Sequence, residues 1–153
     1  MAWRATVENE LSSETSASIG KDESYDHYTQ LQPPSIALID DDPLFGELFK
    51  EYAHSKGFQT QYYVSPAHVA NINSLRHYHV VLIDMELGTD LSGLDFAHTV
   101  RAALPEVPIV LISGDTMVGF DSRPDCVDAF VTKRMGLEGM LQVATDVYKR
   151  LMQ

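Results

Sequence analysis

From Ser35 onward, short apolar runs alternate with stretches whose apolar residues recur at helical spacing. The run Ile36-Ala37-Leu38-Ile39 is unbroken, as in a strand buried on both faces. Asp42-Pro43 then has the form of a helix start, with Asp as N-cap and Pro in the first turn. Leu44, Phe45, Leu48, Phe49 and Tyr52 mark the apolar stripe of that helix, and Gly57 ends it. Residues 59–64 read as a second strand, 66–75 as a weak helix and 79–83 as a third, buried strand. Residues 94–103 are helical and stop before Pro105. Residues 108–112 form a fourth strand and 127–132 a fifth. Leu137, Met140, Leu141, Ala144, Val147, Tyr148 and Leu151 line a long final helix. Five strands alternating with helices predict an α/β fold, a parallel sheet covered on both faces. In such sheets the ligand sits beyond the C-terminal strand ends.

The first 34 residues break this pattern. They are rich in Ser, Thr, Glu and Asp, with six acids against two bases, and Pro33-Pro34 closes them off. Such a stretch buries too little to offset its ordering entropy, so 1–34 is expected to be a disordered acidic N-terminal arm and 35–153 the folded domain. Trp3, Val7 and Leu11 recur every four residues and suggest one short helical face within the arm.

Charge and composition exclude some function classes. The whole chain has 22 Asp and Glu against 11 Lys and Arg, a net charge of −11. A surface that negative repels DNA phosphates and anionic lipid, so neither nucleic acid nor membrane is an expected partner. No apolar stretch nears the roughly 20 residues of a membrane span. A single cysteine, Cys126, excludes an internal disulfide framework. The start lacks a basic-then-apolar signal pattern, and a cytoplasmic location is expected.

Polar residues collect at the predicted strand ends. The first strand runs into Asp40-Asp41-Asp42, the third into Asp84, the fourth into Ser113-Gly114-Asp115 and the fifth into Thr132-Lys133. Parallel strands bring these ends into one crevice. Clustered carboxylates repel one another unless a hard cation sits between them, and oxygen-only ligands suit Mg²⁺. A metal and a lysine are what a transferring phosphoryl group requires, and a nearby carboxylate can be the attacking nucleophile. His77 and His79 alternate as metal ligands sometimes do, but no third ligand accompanies them.

The segments SIALIDDDP, HVVLIDMELG, LSGLDFA, IVLISGD and VDAFVTK together resemble the receiver domain of two-component response regulators. The resemblance spans 35–153. It implies a flavodoxin-like, doubly wound five-stranded sheet in the order 2-1-3-4-5. It also implies that Asp84 accepts a phosphoryl group, that Asp40 and Asp41 are the acidic pair, and that Lys133 is the conserved lysine. Ser113 and Phe130 match the family's switch hydroxyl and switch aromatic. The implied Mg²⁺ ligands are Asp41, Asp84 and the backbone carbonyl of Glu86, with Asp40 acting mostly through water. The implied partners are a sensor histidine kinase or phosphotransfer protein and a downstream target protein, with a homodimer left open. No output domain follows Lys133, so a stand-alone receiver is expected. It would be no enzyme beyond Mg²⁺-dependent self-phosphorylation and self-dephosphorylation.

Three features depart from the family pattern. Leu87-Gly88 stands where Met-Pro is common, and the stretch to Gly93 looks one residue longer than usual. Residues 115–125 hold Gly119 and Pro124, which predicts a shortened fourth helix. Arg134 replaces the usual proline after the lysine, which predicts a trans peptide there and a loop bent at Gly136. A rival reading is a haloacid-dehalogenase-type phosphatase using Asp40 and Asp42. It lacks that family's further acidic pair and leaves Asp84 without a role.

Overall fold

The computed structural model describes residues 33–88, 90–114 and 123–152. Residues 1–32 of the expected arm 1–34, with the Trp3-Val7-Leu11 face, and residues 115–122 of the segment expected to hold a shortened helix lie outside the described residues, Asp115 among them. A compact unit begins at Pro34.

Its strands are β1 (Ser35–Ile39), β2 (Gln59–Tyr63), β3 (Val80–Asp84), β4 (Ile109–Ser113) and β5 (Ala129–Thr132). All pair in parallel, in the order β2-β1-β3-β4-β5. The described α-helices are α1 (Pro43–Ser55), α2 (Gly93–Ala103) and α3 (Gly136–Leu151). The expected doubly wound sheet and its strand order are therefore present.

The two-residue period of the strands sorts the core into two layers. Ala37, Ile39, Val81, Ile83, Ile109 and Leu111 face Phe96, Ala97 and Val100 of α2. Ile36, Leu38, Val80, Leu82, Val110, Ile112 and Val131 face α1 and α3. Because both faces are covered, the central strands read as continuous apolar runs.

The helix starts follow their caps. Asp42 Oδ1 accepts the amides of Leu44 and Phe45 at 3.1 and 3.3 Å, and Ser92 Oγ accepts that of Asp95 at 3.1 Å. Gly57, with φ +90°, turns the chain out of α1.

Three sequence expectations need correction. Leu44 is 72% exposed and Leu48 46% exposed, so they are not core residues of α1. The buried line is Gly46, Phe49 and Ala53, flanked by half-buried Phe45 and Tyr52 of the expected stripe; a Cβ on Gly46 would strike the Tyr62 ring. Residues 66–75 hold no α-helix: two 3-10 stretches, Pro66–His68 and Ile72–His77, lie there instead. Leu151 at the end of α3 is exposed, and only Met140, Leu141, Ala144 and Val147 of that helix are buried.

After β5 the chain makes a 3-10 turn, Lys133–Met135, started by Thr132 Oγ1 accepting the Arg134 amide at 2.9 Å. No peptide among the described residues is cis, and Gly136 takes φ +76°. Both match the expectation drawn from Arg134. His79 is occupied structurally: its Nδ1 accepts the Ser35 amide at 2.9 Å, and its ring meets Tyr148 edge-on.

Candidate phosphoacceptor site

The C-terminal ends of β1 and β3 carry Asp40 and Asp84 side by side. Asp40 is fully buried, Asp84 nearly so, and Asp41 is exposed above them. Ligand oxygens of the three carboxylates lie within 4.8 Å of one another. Each buried carboxylate is held by its own loop. Asp40 Oδ1 accepts the Asp42 amide at 2.9 Å, and Asp84 Oδ1 accepts the Glu86 amide at 3.1 Å. Turns of this kind fix the carboxyl orientation before any ligand arrives.

Lys133 reaches in from the end of β5. Its Nζ is 2.9 Å from Asp40 Oδ2 and 3.3 Å from Asp84 Oδ2. The contact to Asp84 has hydrogen-bond geometry; the one to Asp40 is a charge contact that leaves Oδ2 without a hydrogen bond. Burial and then the Asp40 charge push the Asp84 carboxyl up to about 7, against the pull of the Glu86 amide and Lys133. Burial disfavours the Lys133 ammonium, but Asp40 and Asp84 outweigh it and hold the group above its ordinary range.

Ser113 ends β4 and is buried. In register, Phe130 of β5 lies beside Leu111 of β4, so Phe130 and Ser113 share one sheet face, two residues apart along it. Phe130 is half-buried against the α2-side core.

Several residues that shape the site were missed in the sequence. Tyr62 donates its hydroxyl to the Asp40 carbonyl at 2.7 Å and so pins the acidic loop to β2. Burial and then the charge of Asp40 raise that phenol to about 12, so it stays a donor. Gly93 carries no Cβ because one would overlap the Asp84 carbonyl, where α2 begins against β3. Phe45 lies under Lys133, with Nζ 4.3 Å from the ring centroid. A tyrosine near a strand end and a glycine at the first position of a helix were the available signals, and neither is specific. By contrast, a cavity of about 550 Å³ lined by Arg76, Tyr78, Leu104 and Pro108 opens at the opposite strand ends, away from the carboxylates.

The family model described as "Response regulator receiver domain" matches residues 36–145. The chain belongs to the response regulator receiver family. Receivers of known structure share the fold. The CheY-like receiver domain protein from Methanospirillum hungatei is 15% identical with a TM-score of 0.66, over 78% of this chain and 97% of that one. The response regulator protein TrrA from Thermotoga maritima, in complex with Mg²⁺-BeF, is 22% identical with a TM-score of 0.66, over 74% and 98%. The Francisella response regulator 1452 receiver domain is 19% identical with a TM-score of 0.63, over 76% and 98%. None of the curated proteins matches the chain. Membership of the receiver family displaces the phosphatase reading, and the geometry agrees: Asp42 is engaged in capping α1.

The donor set of this receiver fits Mg²⁺. All its side-chain donors are hard carboxylate oxygens, and the ones on Asp40 and Asp84 are oriented by backbone amides. Asp41 has neither ion pair nor hydrogen bond on its carboxylate among the described residues. Among the same residues, no helix is long and apolar enough to cross a membrane. Cys126 is buried, and burial, well ahead of the Asp125 charge, raises its thiol.

Proposed function

We propose that this receiver takes a phosphoryl group onto Asp84 from a phosphohistidine of a sensor histidine kinase or phosphotransfer protein. The observation that carries the reading is the placement of Asp84, buried beside Asp40 at the C-terminal ends of the sheet with the Lys133 ammonium in contact with both carboxylates. An Asp84 oxygen attacks phosphorus, an O–P bond forms, the donor's N–P bond breaks, and its electron pair returns to the imidazole nitrogen. Water later attacks phosphorus, the acyl phosphate O–P bond breaks, and inorganic phosphate leaves. Beyond this self-phosphorylation and self-dephosphorylation, no enzymatic activity is proposed.

Asp41, Asp84 and the carbonyl of Glu86 would hold Mg²⁺, with Asp40 acting through water; the ion supplies charge neutralisation on the phosphoryl oxygens. Lys133 pairs with a further phosphoryl oxygen, a charge-assisted contact. Ser113 turns inward to donate to another, and Phe130, on the same face, follows it. The added charge thus biases a two-state surface that a downstream target protein reads, with a homodimer left open. A single cysteine among 153 residues agrees with a cytoplasmic setting.

The test is phosphate incorporation from acetyl phosphate with Mg²⁺, located by mass spectrometry. Asp84→Asn is expected to abolish labelling while keeping the fold. Full labelling of that variant would refute the assignment, and labelling on Asp40 would revive the phosphatase reading.

A further inference from the structure

The Lys133 ammonium has a third wall. Besides the two carboxylates, it faces the Phe45 ring at 4.3 Å from the centroid. Phe45 sits in the first turn of α1, half-buried, and its ring packs at 6.3 Å from that of Phe49. A cation within about 6 Å of a ring face is drawn to its negative quadrupole, more strongly where water is excluded. Only 21% of the Lys133 side chain is exposed, so the contact is largely dry. A lysine is a point charge on a flexible stem, and two carboxylates do not fix where it rests.

We propose that Phe45 is a positioning residue for Lys133: its ring face seats the ammonium between Asp40 and Asp84 and keeps it aimed at a phosphoryl group on Asp84. The proposal rests on the reading of Asp84 as phosphoacceptor. The ring faces the ammonium and contributes no hydrogen bond, so the seat stays in place when Lys133 exchanges Asp84 for a phosphoryl oxygen. It also ties the catalytic lysine to the turn of α1 that carries the exposed Leu44.

Replacing Phe45 in the full chain with mono-, di- and trifluorophenylalanine weakens the quadrupole stepwise at nearly constant shape. Three quantities are measured: the Mg²⁺-dependent labelling rate with acetyl phosphate, beryllofluoride affinity, and melting temperature. Labelling and affinity are expected to fall stepwise, by about three-fold or more at the trifluoro variant, with an unchanged melting temperature. Phe45→Leu should match the trifluoro variant, and Phe45→Tyr should match the wild type. Proton NMR gives an independent reading, because Lys133 methylenes beside the ring should be shifted upfield in the wild type and lose that shift in Phe45→Leu. Labelling that ignores fluorination, or that falls only in step with melting temperature, overturns the proposal. So does an unshifted Lys133 in the wild type. If the wild type shows the upfield shift yet takes no phosphate on Asp84, the phosphoacceptor reading fails and the positioning role fails with it, while a seat for Lys133 remains.

Discussion

Gly88 and Gly57 share a left-handed backbone, with φ of +62° and +90°, and differ in what surrounds them. A Cβ on Gly57 would meet nothing within 4 Å, whereas one on Gly88 would lie 2.8 Å from Asp41 Oδ2. Alanine at either position therefore carries the strain of positive φ, about 1 kcal/mol. Only Gly88→Ala should also displace a proposed Mg²⁺ ligand. Both variants are expected to melt earlier by similar amounts, while Mg²⁺ affinity by calorimetric titration drops several-fold in Gly88→Ala alone. Equal Mg²⁺ affinities would show that the loop simply yields. The Leu87-Gly88 departure was visible in the sequence, but its consequence was not, since it depends on a backbone angle and on a neighbour from another loop. Asp40, Asp41, Asp84 and Lys133 were legible because buried strands ending in charge are rarely accidental. Tyr62 and Phe45 were not, because a ring's use as anchor or seat leaves no mark distinct from a core residue.

At the level of elements, apolar periodicity located every described strand and α-helix to within a few residues; on α1 it found Phe45, Phe49 and Tyr52 but also counted two exposed leucines. Hydrophobic counting weights Leu44 and Leu48, whereas the helix packs through Phe49 together with Gly46 and Ala53, whose value is their smallness. The loop side of the sheet hid a second device. Arg101, near the end of α2, donates to the carbonyls of Cys126, Pro105 and Val107 and forms a 2.7 Å ion pair with Asp128. Asp128 in turn accepts the Ile109 amide at 2.8 Å. One guanidinium thus joins α2 to the entrances of β4 and β5, far from the carboxylates. Arg101→Ala should cost about 2 kcal/mol or more in urea unfolding, because several carbonyls lose a charged donor at once. Arg101→Lys should recover little of it, since a point charge cannot replace the planar fork. Acetyl phosphate labelling at a temperature where both variants are folded should stay near the wild-type rate; a large loss would mean that this end of the sheet is coupled to the site.

Across the whole molecule, the site acts against the stability of the fold that carries it. Burial and Asp40 raise the Asp84 carboxyl from 3.8 to about 7, so the native chain holds a proton there that the unfolded chain has already released. Between about pH 4 and 7 the native state binds more protons than the unfolded one, and stability contributed by this group falls as pH rises through that window. Below pH 4 both states are protonated and the cost vanishes; above about 7 it is present in full. In chelator, the metal-free wild type should therefore lose stability relative to Asp84→Asn as pH is raised from 4 to 8, the other carboxylates being common to both chains. The Asn variant is expected to be the more stable of the two at pH 8, by 1 kcal/mol or more, with the difference shrinking toward pH 4. Adding Mg²⁺ should reverse the order at pH 8 by binding the wild type and should matter little at pH 4, where the Asp84 carboxyl is protonated. Urea midpoints of the two chains across this range, with and without Mg²⁺, measure both effects. A difference that does not change with pH would place the Asp84 carboxyl in its ordinary range and would mean that Lys133 already neutralises the cluster without a metal.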